Sequence, residues 1–274
     1  GEAAYIPIGH AEGTQLSLET VLERLGGFFG SAGRKKTCAE SKLLSGILER
    51  EGRRLRGLAF DPTLAAYLLD PDDPLNGPEA VARRYLGHDP VPRSKVLSDG
   101  KKKRPFARAP IALATEHVGE RAEIAWHATP FLETALESAR TRDVLRDVEL
   151  PLAPVLARIE LAGIRIDVPR LERMKGRFAA ELERLEQACY EAAGKPFTIG
   201  SPKQLRTILF EELGLKVTKT TKTGPSTDHA ALEAIEDDHP LPRAVIEHRT
   251  VQKLQNTYVE ALPKMVAPST GRVH

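Results

Sequence analysis

The sequence predicts two consecutive domains: an α/β layer domain over residues 1–147 and a mostly α-helical one over residues 148–274. Three observations carry that reading. Short strand-like apolar runs alternate with helical patterns in the first half, the arrangement of a layered α/β domain. Two long stripes of apolar residues at helical spacing dominate the second half. The 274 residues suffice for two ordinary cores.

In the first half, Ala3 to Ile8 reads as a short buried strand. Leu18, Val21, Leu22 and Leu25 give helical spacing with Gly26 as the stop, and Leu43, Leu44, Ile47 and Leu48 mark a second helix ending near Gly52. Leu58-Ala59-Phe60 is strand-like. Asp61-Pro62 then supplies an N-cap and first-turn proline for a helix through Leu64, Leu68 and Leu69, ended by Pro71 and the turn-rich residues after it. A short helix around Val81 to Leu86 follows. The polar run from Asp89 to Arg108, with Lys101, Lys102, Lys103 and Arg104, reads as a mobile, solvated loop. A long helix from about Ala109 to Ser138 closes this half, with Pro130 as a possible break.

In the second half, Val148, Leu152, Val155, Leu156 and Ile159 share one face of a helix that Gly163 terminates. Ile164 to Asp167 is a brief extended link. Leu171, Met174, Phe178, Leu182, Leu185 and Cys189 form the stripe of a helix from Pro169 to Ala193, which would be roughly 37 Å long at 1.5 Å per residue. Val251, Leu254, Tyr258 and Leu262 form the stripe of a partner near Leu241 to Lys264. Two long antiparallel helices with a small helical tip describe a lever or clamp. At the tip, Ser201-Pro202-Lys203-Gln204 is a capping box, and Lys219 to Asp228 is a basic, hydroxyl-rich turn leading into another helix. Helix N-termini beside Lys216, Lys219 and Lys222 are suited to phosphate oxygens. The plainer reading is that these serines only cap helices and the lysines only solvate a loop.

Composition narrows the partners only slightly. Forty lysines and arginines stand against 38 acids, a formal charge of +2, so the overall balance argues neither for nor against nucleic acid. Cys38 and Cys189 are far apart and lack C-x-x-C spacing, which suits buried thiols in a reducing compartment. No apolar run approaches the ~18 residues of a membrane span. The expectation is a cytoplasmic chain with no membrane partner.

Three pieces of the second half occur in a telling order: Ser201-Pro202-Lys203-Gln204-Leu205, then Lys219 to Thr227, then Arg249 to Tyr258. They resemble the S-x-x-Q-L, K-T-x-T-G…S-T and Y-R-x-L-x-K-L-x-x-T-Y patterns of the thumb subdomain of family A DNA polymerases. The Pro151 to Asp167 run and Gly271-Arg272-Val273-His274 are similar to the same family, and Leu55 to Leu69 resembles its proofreading (3′–5′ exonuclease) domain. The resemblance implies an α/β ribonuclease H-like exonuclease domain, N-terminally truncated, followed by a mostly α-helical thumb leading towards the palm. It implies a monomer that grips primer–template DNA without reading sequence. Ser201, Thr220, Lys222, Ser226, Arg249, Lys253 and Thr257 stand at or near the duplex-facing positions; Tyr258 suits packing equally well.

The same resemblance argues against proofreading. Family exonucleases hold two metal ions on carboxylates. Leu44 and Ala125 stand where two of the aspartates belong, Arg121 replaces a tyrosine, and the D-x-E strand would precede Gly1. Glu116, Glu120 and Glu123 read as a solvated face. No cofactor is expected in this segment, while Mg2+ belongs to the whole polymerase, whose palm and fingers would lie beyond His274. The alternatives are an active 3′–5′ exonuclease and a free-standing DNA-binding module.

Overall fold

The structure, a computed structural model, describes residues 2–73, 77–100, 102–222 and 224–274. By contact the chain forms two compact units, Gly1–Ala162 and Gly163–His274.

Unit 1 is built on helices. The helix α1 (Leu18–Phe29) is capped by Ser17, whose hydroxyl accepts from Thr20 N. It leads through β1 (Lys36–Thr37) to α2 (Ser41–Arg50), β2 (Leu58–Phe60) and α3 (Pro62–Leu69). β1 and β2 pair in parallel. Asp61 fastens this region, because its carboxylate accepts from Thr63 N at 2.9 Å, the Thr63 hydroxyl at 2.5 Å and Ser41 N at 2.8 Å. It therefore caps α3 and ties α2 to β2 with one buried side chain. After α4 (Pro78–Val81), which runs on as a π-helical turn to Leu86, come α5 (Arg93–Val96) and the hairpin of β3 (Ser98–Asp99) with β4 (Lys102–Lys103). α6 (Ile111–Ala139) then runs through Pro130 without interruption. α7 (Arg142–Val144) passes by a π-helical turn into α8 (Leu150–Ala162). The core joins Phe60, Ala65 and Ala66 to Val81, Ile124, Leu132, Leu136 and Leu145.

Several expectations are corrected here. The α/β layering is slight, since the described strands are two or three residues long. Ala3 to Ile8 is no strand, for Pro7 removes a ladder donor and no neighbouring strand pairs with it. That segment is held instead by Tyr5 Oη against His10 Nε2 at 2.6 Å, and by Ala11 N donating to Ala107 O at 2.7 Å. α1 passes through Gly26 and ends at Gly30. The described residues between Asp89 and Arg108 are folded rather than loose, carrying α5 and the paired β3 and β4, while residue 101 lies outside the described residues. The stripe from Val148 to Ile159 faces outward, and α8 buries Leu150, Ala153 and Ala157 instead. The small residues are the inward ones because α8 lies close on α2, where a Cβ at Gly46 would sit 4.0 Å from that of Ala157. Lys42 and Glu160 pair at 2.6 Å between the same helices. By contact α8 packs with the helices of unit 1.

Unit 2 is organised by α9 (Val168–Ala193) and α12 (Pro240–Leu254), which pack along each other. α9 follows its expected stripe, with Leu185 and Cys189 fully buried. Between the two lie α10 (Pro202–Arg206) with a π-helical turn to Glu212, the hairpin of β5 (Thr220–Thr221) and β6 (Gly224–Pro225), and α11 (His229–Glu233). Ile199, Leu205, Ile208, Leu209, Leu232, Leu241 and Val245 close on Cys189 as the core. α12 continues as a π-helical turn, Gln255–Val259, and α13 (Ala261–Lys264). The inward face of α12 carries Leu241, Val245 and His248. The expected stripe is displaced, as Leu254 and Tyr258 are 41% and 49% exposed. Leu254 already lies off the face of Leu241, Val245 and His248 within α12, and Tyr258 falls in the π-helical turn, whose extra residue per repeat shifts it from α-helical spacing.

Candidate nucleic-acid interface

The tip of unit 2 is assembled from local hydrogen bonds. Ser201 caps α10, accepting from Gln204 N at 3.5 Å, while Gln204 Oε1 accepts from Thr198 N at 2.7 Å. Ser201 thus caps α10 as expected, but the reciprocal bond of a capping box is not made, since Ser201 N donates to Thr198 O at 2.8 Å instead. In the hairpin, Thr220 and Lys222 are exposed, and Gly224 adopts φ +114° beside the Arg206 guanidinium. Residue 223 lies outside the described residues. Ser226 is only 7% exposed; its N donates to Lys219 O at 2.8 Å and its hydroxyl accepts from Asp228 N at 3.2 Å. The cap of α11 is Asp228, which accepts from Ala231 N and pairs with Lys219 at 2.6 Å. Those bonds hold the Asp228 carboxyl below the usual carboxylate range, with the Lys219 bond the larger cause. Lys219 therefore spends much of its charge inside the tip.

The other predicted positions lie on α12 and beyond. The half-buried Arg249 donates through Nη1 to Thr227 O at 2.5 Å, so it splints the turn before α11. Burial lowers its affinity for the proton from the usual arginine value, with no effect on its charge near neutrality. Lys253, Thr257 and Tyr258 are exposed. Arg249, Thr250, Lys253, Leu254 and Tyr258 line a shallow cavity of about 440 Å³, closed on the other side by His229 and Leu232 of α11. The structure brings Arg249 and Lys253 together there, and it places Ser201, Thr220, Lys222, Ser226 and Thr257 outside that cavity. His229 and Thr250 were not among the positions assigned to the duplex from the sequence.

Unit 1 carries a contrasting cleft of about 430 Å³. Phe28, Phe29, Lys35, Lys36, Leu44, Arg121, Ala125 and Trp126 are among its walls, so Leu44 and Ala125 do face one space. Two of its cations, Lys36 and Arg121, are committed. Lys36 Nζ donates to Ser31 O, Arg34 O and Arg56 O at 2.7–2.8 Å and lies 4.9 Å from the Phe28 ring centre. Burial, and secondarily Arg34, pushes its ammonium below the ordinary lysine value. Arg121 pairs with Glu40 and Glu79. Glu120 is engaged by His88 and by Val91 N, while Glu116 and Glu123 are exposed. Among the described residues no three His, Cys, Asp or Glu side chains gather in a way that could hold a metal ion. The side chains present do not fit a two-metal centre, whose ions need converging carboxylates.

Residues 168–274 match the model of DNA polymerase family A. The whole chain aligns with DNA polymerase I of Synechocystis sp., 39% identical over 280 residues, and with DNA polymerase I of Pseudomonas aeruginosa, 35% identical over 282. It spans 28% and 31% of those two proteins. Among solved structures, the POL domain of Pol1 from M. smegmatis, in complex with DNA primer-template and dNTP, superposes with a TM-score of 0.75 at 31% identity. That match covers 95% of this chain and 42% of the other. Fold and sequence together make the chain similar to a part of DNA polymerase I, and over residues 168–274 it belongs to DNA polymerase family A.

Proposed function

We propose that this chain is the thumb-bearing part of a DNA-directed DNA polymerase I and holds primer–template duplex without reading its sequence. The observation that carries the reading is the pairing of Arg249 with Lys253 on one exposed face of α12, beside the tip hairpin that presents Thr220 and Lys222. Cations and hydroxyls of this kind contact phosphate and sugar, which fixes a duplex in place whatever its sequence. Ser201, Ser226 and Thr257 complete the proposed contact set. Ser226 acts through the backbone it orders, since its own hydroxyl is turned inward. The likeness to a polymerase domain in complex with DNA primer-template supports the choice of partner.

Residues 1–147 are proposed to be a ribonuclease H-like proofreading domain without its chemistry, and residues 148–274 the thumb region. The whole polymerase would use Mg2+, work as a monomer and act in the cytoplasm. The lack of carboxylates at Leu44 and Ala125 supports the loss of proofreading.

The test is DNA binding as a function of salt. Three to five phosphate contacts give a log–log slope of roughly −3 to −4.5. Changing Lys222, Arg249 and Lys253 together to Ala should flatten it by about 2 to 3 and weaken all sequences equally. A folded triple variant with an unaltered slope would overturn the reading.

A further inference from the structure

We infer that the α5–β3–β4 segment of unit 1 is a second contact surface for the phosphodiester backbone of duplex DNA. Between residues 88 and 108 the sequence places seven lysines and arginines against two aspartates, in a chain whose formal net charge is only +2. The structure shows why this run is more than a solvated loop. It is anchored from below: Val91, Val96 and Ala109 are buried together, with Phe106 and Leu113 packed on them. Arg104 fastens it from within, its Nε donating to Val96 O at 2.8 Å and its N to Leu97 O at 2.8 Å. His117 of α6 lies 2.7 Å through Nδ1 from Val91 O.

On this fixed base Arg93, Lys95, Lys102, Lys103 and Arg108 all point to solvent. None of them forms an ion pair among the described residues, whereas Asp89 is paired with Arg83. Asp99 stands opposite Lys102 in the hairpin and offsets part of that charge. A patch whose backbone is already fixed loses little backbone freedom when an anionic polymer lies across it. The patch has no exposed aromatic ring on which an unpaired base could stack, the feature that marks single-strand grooves. A duplex backbone is therefore the form of nucleic acid it fits.

The choice of DNA rests on the proposed polymerase function; the surface itself is independent of unit 2. The experiment measures binding of a blunt duplex against salt for the full chain. Arg93, Lys95, Lys102 and Lys103 are replaced together by Gln. A control replaces Arg24, Arg50, Arg53 and Arg158 by Gln, removing the same charge elsewhere on unit 1. The hairpin variant should flatten the slope by about 2 to 3.5, at about 0.9 per lost contact, and the control by less than about 1. Lys-to-Arg and Arg-to-Lys exchange at the four hairpin positions should preserve the slope.

Equal flattening in both variants, or none in either, would overturn the inference. So would a hairpin loss confined to single strands or to anionic vesicles. If the Lys222, Arg249 and Lys253 triple variant alone abolishes duplex binding, the hairpin fails and the thumb reading stands. If that triple variant binds normally and the hairpin variant does not, the reverse holds.

Discussion

The cleft of unit 1 and the tip of unit 2 both gather cations, yet they use them in opposite directions. In the cleft, Lys36 gives three hydrogen bonds to carbonyls and Arg121 faces two glutamates. On α12 and the hairpin, Lys253 and Lys222 extend into solvent. Arg249 does both, since it splints Thr227 and still borders the open cavity. A basic residue is thus informative about binding only once its donors have been counted. The lysine that is fully spent at home holds the fold together, and the one left unspent is available to a phosphate.

The comparison breaks most sharply at Gly57. It adopts φ +70°, and an added Cβ would lie 2.5 Å from Arg34 O and 2.8 Å from Ser31 O, the two loop carbonyls that also receive Lys36. Gly57→Ala should destabilise unit 1 by about 3 kcal/mol or more in urea unfolding, through backbone strain at a site with no room to relax. The next effect is Lys36→Met, which leaves those carbonyls without their donor. A loss of about 2 to 3 kcal/mol is expected, with the salt dependence of duplex binding unaltered. If binding changed while the fold held, Lys36 would belong with the outward cations.

Arg249 and Lys253 sharpen the contrast inside one helix. Arg249→Lys should cost about 1 kcal/mol, because an ammonium cannot keep the guanidinium's bond to Thr227 O and its outward face together. Lys253→Ala should leave stability within about 0.5 kcal/mol and flatten the salt slope by about 0.9. Matching stability losses for the two would erase the distinction. The smallest effect concerns His248, buried between Glu186 of α9 and its neighbour Arg249, with Nδ1 lacking a partner among the described residues. Burial, the main cause, lowers its pKa in the fold, and Glu186 opposes that shift. The unfolded chain then protonates first. The stability this group contributes is complete above the ordinary histidine value of about 6.5 and declines as pH falls towards the folded one. The thermal midpoint of unit 2 should drop between pH 7.5 and 5.5, and His248→Gln should lessen the drop.

Capping residues were the most legible part of the sequence. Asp61 and Ser201 each act where a short polar side chain followed by proline says they should, since capping is local chemistry. The α9 stripe was legible for the same reason, being a long run at one period. Faces were harder. The apolar residues from Val148 to Ile159 have ideal helical spacing and still point outward, because close approach to α2 favours the alanines. Leu254 was misplaced because the packed face of α12 runs through Leu241, Val245 and His248, and Tyr258 because it lies in a π-helical turn that no apolar pattern announces. At the interface, charged runs were visible and the internal commitments of Lys219, Ser226 and Arg249 were not, for these depend on carbonyls and side chains that only folding brings near.

Unit 2 is also tied shut at its two ends. Ile164 N donates to Val273 O at 2.8 Å, Val273 N returns to Ile164 O at 3.0 Å, and Arg272 Nη1 reaches Gly163 O at 3.0 Å. Gly163 has no space for a side chain there, as a Cβ would come within 2.7 Å of Val273 O. The two ends of unit 2 therefore lie side by side, closed by these three hydrogen bonds. Joined ends also make it a natural cassette. A permuted version that links residue 274 to residue 163 and opens in the exposed Gly194–Pro196 connection should retain the packing of α9 on α12, because the new junction spans a distance the native chain has already closed.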